Sequence, residues 1–107
     1  FNLGGMYYQG KGVKQNFKEA AKWVKKAAEQ GLARAQASLG MMYFQGRGVL
    51  EDFVQAYAWL NIAAANGMEI VEKGKTLVAK KMTPDQIAES QKLSREMLKK
   101  NPKLMGK

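Results

Sequence analysis

Residues 39–49 read Leu39-Gly40-Met41-Met42-Tyr43-Phe44-Gln45-Gly46-Arg47-Gly48-Val49. Residues 3–13 read Leu3-Gly4-Gly5-Met6-Tyr7-Tyr8-Gln9-Gly10-Lys11-Gly12-Val13. Displaced by 36 positions, with Leu3 falling on Leu39, the two stretches are identical at eight of eleven positions. The displacement holds downstream without a gap. Phe17, Ala20, Trp23, Ala27, Ala28 and Gly31 fall on Phe53, Ala56, Trp59, Ala63, Ala64 and Gly67. A period of this length is the signature of a stacked repeat, in which each unit buries its apolar face against the next.

Each matched residue has a mechanical role. Gly10 and Gly46 follow runs of good helix formers, where a left-handed residue ends a first helix. Asn16 and Asp52 precede a second helix as N-caps, and Glu19 and Gln55 sit three positions on, placed to complete a box-like cap. Gly31 and Gly67 then stand at C′ of that helix. In the second unit Ala35, Leu39, Met42 and Tyr43 share one helical stripe, and Ala56, Leu60, Ala63 and Ala64 another, with Trp59 at its side. Gly4 and Gly40 lie inside helices, at about 1 kcal/mol relative to Ala. A small residue at the same place in both units predicts the close approach of another helix.

These residues resemble the Sel1-like repeat family, relatives of the tetratricopeptide repeats. The family pattern is Ala-x-x-x-Leu-Gly-x-x-Tyr-x-x-Gly-x-Gly-Val, followed at set distances by Asp, Ala, Trp, Ala-Ala and Gly. Residues 35–67 carry it almost completely, and residues 1–31 carry it apart from the opening of the first helix. Asn16 replaces the usual Asp, and both residues cap. The last third of the chain looks like the C-terminal tail of many bacterial proteins of this family. The resemblance implies an all-α, right-handed α-α superhelix of tetratricopeptide type, a curved stack of antiparallel helix pairs that recruits partner proteins. The expected organisation is one domain over residues 1–107: a first repeat, truncated at its N-terminus, over 1–34; a second over 35–67; and a helical cap over 68–107. The truncation predicts either further repeats upstream or self-association.

After Gly67 the pattern stops. Lys75 and Thr76 fall where Leu39 and Gly40 stood, and no Gly-x-Gly-Val follows. Helical spacing persists in Ile70, Val71, Gly74, Leu77 and Val78, ending near Met82. Thr83-Pro84-Asp85-Gln86 starts a last helix, with Thr83 as N-cap and Pro84 at N1, and Asn101-Pro102 stops it near Lys100. A solenoid end needs a cap with one polar face. Lys18, Ala21, Lys22, Lys25, Lys26 and Glu29 align with Val54, Tyr57, Ala58, Asn61, Ile62 and Ala65. The loss of charge in the second copy predicts that residues 70–98 cover Tyr57 and Ile62.

Composition narrows the function. The chain of 107 residues has neither Cys nor His. No cofactor is expected, and zinc, haem, iron–sulfur and His- or Cys-based catalytic arrangements lose their usual residues. Glu51 and Asp52 are adjacent, which suits a cap, and Asp85 and Glu89 lie in the first turns of a helix, where the dipole favours them. No carboxylate pair suits acid–base work, so no enzyme is expected. A few family members have been proposed as cell-wall hydrolases, and no residue set here supports that. No apolar run approaches a membrane span, and the compartment stays open between bacterial envelope and cytoplasm.

The net charge is +9, which favours an acidic partner. Lys18, Lys22, Lys25 and Lys26 form one basic strip, and Lys73, Lys75, Lys80 and Lys81 another. Solvated lysines are the plain reading; binding of polyanions or of an anionic envelope surface is the functional alternative. Nucleic acid is less attractive, because Arg is confined to Arg34, Arg47 and Arg95 and no reading motif appears. Gly10-Lys11-Gly12 and Gly46-Arg47-Gly48 lack P-loop spacing. Trp23 and Trp59 read as core anchors rather than ligand platforms.

The leading expectation is a scaffold that holds a partner peptide or helix in its groove. The family resemblance puts the first helix of each unit along the concave surface. Residues 34, 38, 41 and 45 share a face by spacing, and the units diverge there, Asn2, Gly5 and Tyr8 aligning with Ser38, Met41 and Phe44. The candidate partner-binding residues are therefore Tyr8, Gln9, Arg34, Ser38, Met41, Phe44 and Gln45. The competing reading is that Met41 and Phe44 pack between repeats.

Overall fold

The computed structural model describes residues 16–106, so the helix expected at the start of the first unit, and with it Tyr8 and Gln9, lies outside the described residues. Five α-helices follow one another: α1 (Phe17–Glu29), α2 (Ala33–Gln45), α3 (Phe53–Ala65), α4 (Val71–Ala79) and α5 (Pro84–Lys100). A 3₁₀ turn over Pro102–Met105 follows α5. The described residues contain no strand, and the architecture is an all-α repeat superhelix.

The helix boundaries sit where the caps put them. The Glu19 backbone N–H donates to Asn16 Oδ1 at 3.1 Å, and that of Gln55 to Asp52 Oδ1 at 3.0 Å. Thr83 and Gln86 form the full reciprocal box, Gln86 N–H to Thr83 Oγ1 and Thr83 N–H to Gln86 Oε1. Gly46 closes α2 at φ +68°, and Gly31 and Gly67 follow α1 and α3 at φ +94° and +89°. L side chains rarely adopt that region.

Helix α3 is the centre of the molecule. It packs on α2, α4 and α5. One core cluster joins Ala20, Val24 and Ala28 of α1, Ala35, Leu39 and Met42 of α2, Trp59 and Ile62 of α3, and Leu104 of the terminal turn. A second joins Ala56, Leu60 and Ala63 of α3 to Val71 and Val78 of α4. The close approach expected at Gly40 is present: a Cβ there would lie 3.0 Å from the Ala56 carbonyl oxygen and from Leu60. Helix α5 lies along α3, and the buried Ser90 hydroxyl donates to the Val54 carbonyl at 3.0 Å.

Ile62 is fully buried, with Met97 and Leu98 against its cluster, but the cover extends past residue 98 to Leu104. Tyr57 is half-buried, with the Lys75 ammonium 5.5 Å from its ring centroid.

Two expectations need correcting. Trp23 is not a core anchor; it is 38% exposed, against 5% for Trp59. The end of α1 at Glu29, Met97 of α5 and Leu104 line the surroundings of Trp59. The α4 stripe is also narrower than its spacing implied. Val71 and Val78 are buried, but Ile70 is 72% and Leu77 47% exposed. Alternate sides of one stripe meet α3 and open space, because nothing among the described residues lies over the second side.

Candidate partner-binding face

Helix α2 has a buried side and a more accessible one. Ala35, Gln36, Leu39, Gly40 and Met42 are buried. Arg34, Ser38, Met41 and Gln45 run along the other side, with Arg34 and Gln45 exposed and Ser38 and Met41 half-buried. These four expected site residues therefore share one accessible stripe. Phe44 does not: it is half-buried, its ring centroid 5.6 Å from that of Phe53. It packs against the second core cluster, where Met41 also reaches. Met41 thus serves both packing and surface, its sulfur 3.8 Å from where a Cβ on Gly74 of α4 would stand.

The stripe offers a guanidinium, a hydroxyl, a thioether and a carboxamide. Such groups make hydrogen bonds and adaptable apolar contacts. Among the described residues no three of His, Cys, Asp or Glu are grouped to hold a metal ion, and no described helix is long and apolar enough to cross a membrane.

The basic strips differ in how they are engaged. On α1, Lys18, Lys22, Lys25 and Lys26 are exposed, and the Lys26 ammonium sits 5.1 Å from the Trp23 ring centroid. On α4 and beyond, Lys73, Lys80 and Lys81 are exposed, whereas Lys75 is half-buried between Tyr57 and Glu72, 3.6 Å from its carboxylate. Tyr43, on the core side of α2, has its phenol pushed above the ordinary range by burial and then by the carboxylates of Asp52 and Glu29.

One polar centre was not singled out from sequence. Gln36 is fully buried and donates from Nε2 to the carbonyls of Ala28 at 3.1 Å and Leu104 at 2.8 Å. Its Oε1 accepts from Asn66 Nδ2 at 2.8 Å, and Asn66 also donates to the Leu104 carbonyl at 2.8 Å. Asn101 Nδ2 adds a bond to the Glu29 carbonyl at 3.2 Å. Together they fasten the terminal turn over the ends of α1 and α3. A carboxamide beside Ala35 on an apolar stripe was the available signal, since a buried amide must find partners.

Comparisons with known proteins agree with this architecture. The Sel1 repeat profile matches residues 1–32 and 33–68. No curated protein matches the chain. Among solved structures, the chain is similar to a protective antigen present in uropathogenic Escherichia coli strains, a protein displaying an SLR fold. The identity is 42% over 99% of this chain, with a TM-score of 0.89. The chain spans 23% of that protein's length. With two successive units matched across well over half of its residues, the chain belongs to the Sel1 repeat family.

Proposed function

We propose that this chain is a protein-interaction module whose α2 stripe of Arg34, Ser38, Met41 and Gln45 receives a peptide or helix of a partner protein. Sel1 repeat proteins are in general interaction scaffolds. The observation that carries the reading here is the division of α2: one side is fully committed to the core, while the other presents contact-making side chains to the outside. A helix laid in a groove is a recurrent recognition mode of such surfaces. The test is affinity capture on immobilised protein, comparing wild type with an Arg34→Glu, Ser38→Arg double variant whose fold is checked by circular dichroism. The expected result is a bound protein retained by wild type and lost from the variant. Retention by both would overturn the reading.

A second reading has its own observation: Trp23 lies partly open among four exposed lysines, a composition suited to an anionic surface. It predicts that a Lys22→Glu, Lys25→Glu variant abolishes binding and that added salt weakens it steeply. The stripe reading predicts little change from that α1 variant.

A further inference from the structure

The 36-residue period outlasts its own sequence pattern. Carried one unit further, it places Val71 on Ala35 and Val78 on Met42, and all four residues are buried. Helix α4 therefore occupies the structural place of another α2, although Lys75 and Thr76 have replaced the Leu-Gly pair. The same shift places Ile70 on Arg34, Gly74 on Ser38, Leu77 on Met41 and Lys81 on Gln45. Two large exposed apolar side chains, Ile70 at the N-cap of α4 and Leu77 within it, thus stand at positions equivalent to the α2 stripe.

Their direction follows from Gly74. A Cβ there would lie 3.6 Å from Leu60 of α3 and 3.8 Å from the Met41 sulfur of α2, so this point of α4 faces the seam between those helices. At about 100° per residue, Val71 and Val78 fall on one flank of Gly74, and Ile70 and Leu77 on the other. The valine flank is buried with Ala56, Leu60 and Ala63 of α3, and the Ile70–Leu77 flank is open, at the positions equivalent to Arg34 and Met41. Ile70 and Leu77 are seven residues apart, about 10.5 Å along the helix. A partner helix spaces side chains of one face two turns apart by the same distance.

Charge selects the partner. Arg34, Lys73, Lys80 and Lys81 are exposed around these apolar points, against Glu69 and Glu72, and Glu72 is drawn to Lys75. We propose that α4 extends the α2 stripe into one binding face, and that its occupant is an acidic amphipathic helix of a partner protein, whose apolar side chains rest on Met41, Ile70 and Leu77. This rests on the reading of the α2 stripe as the binding surface.

The probe is a synthetic helix with Leu along one face and Glu elsewhere, beside a twin carrying Lys in place of Glu. Both are titrated into the isotopically labelled full chain and followed by NMR. The Glu probe should shift the amide signals of Arg34, Ser38, Met41, Ile70 and Leu77, and the Lys twin should not. An Ile70→Ser, Leu77→Ser variant should bind about tenfold or more weakly, as expected for loss of apolar anchors. Both positions are exposed, so the variant keeps its fold, which a thermal melt verifies. If Arg34→Glu, Ser38→Arg weakens binding but Ile70→Ser, Leu77→Ser does not, the α4 extension fails and the α2 reading stands. If neither variant matters and the shifts map to α1, both fail. If phosphatidylglycerol vesicles shift the Ile70 and Leu77 signals and the Glu probe does not, the occupant is a membrane surface and the proposal is overturned.

Discussion

Helices α1 and α3 are the same element of successive repeats, yet they live in different surroundings. Each spans 13 residues, starts at an Asx cap and is followed by a glycine at positive φ. On α1 the positions facing away from the core hold Lys18, Lys22 and Lys26, all exposed. Their counterparts on α3 are Val54, Ala58 and Ile62; the last two are fully buried, and Val54 takes a bond from Ser90 of α5. The tryptophans diverge in the same sense, 38% against 5% exposed. Coverage by a neighbour decides which chemistry a repeat position carries, and helix α5 packs along α3.

The largest effect should come from making α3 resemble α1. Ile62→Lys puts a charge where no solvent reaches and should cost about 4 kcal/mol or more, read from the urea midpoint. Lys26→Ile, the reverse exchange, should leave the midpoint nearly unchanged. Equal effects would break the comparison.

The terminal turn is the next point of attack. Gln36→Ala removes both donors to Ala28 and Leu104 and the acceptor for Asn66, and should cost about 1–3 kcal/mol. Hydrogen exchange at the Leu104 amide should quicken with it. Unchanged exchange would mean that the turn is held by Leu104 packing alone.

A smaller effect sharpens the account of how α2 meets α3. Gly40→Ala gains about 1 kcal/mol of helix propensity but pushes a methyl group at the Ala56 carbonyl, so a net loss of about 1–2 kcal/mol is expected. A stabilised variant would show that the approach is looser than 3.0 Å implies.

The smallest concerns Tyr43, whose pKa is raised in the fold. Its contribution is fully present below the ordinary tyrosine range. As pH rises above about 10, the unfolded chain ionises first and stability falls until the raised folded value is passed. Denaturation midpoints of wild type should therefore drop more steeply there than those of Tyr43→Phe. Parallel profiles would remove Tyr43 as a source.

The comparison also explains what could be read from sequence. Local chemistry was legible: the caps at Asn16, Asp52 and Thr83, the glycines after α1, α2 and α3, the Pro84 start and the Asn101-Pro102 stop all depend on near neighbours in the chain. Gly40 was legible because the repeat displayed it twice. Trp23, Ile70 and Leu77 misled because an apolar stripe states what a helix can bury, while burial also requires something on the other side. Gln36, Asn66 and Leu104 escaped because their bonds join residues 30 to 68 positions apart. Of the candidate face, the accessible α2 stripe was visible in its spacing, whereas the packing of Phe44 on Phe53 depended on the path of the intervening loop.

The most direct test is fluorescence quenching by acrylamide on the single-tryptophan variants Trp59→Phe and Trp23→Phe. The account predicts that Trp23, alone in the first variant, is readily quenched and emits at longer wavelength. Trp59, alone in the second, should be shielded and blue-shifted. Equal quenching of the two, or greater access to Trp59, would contradict it.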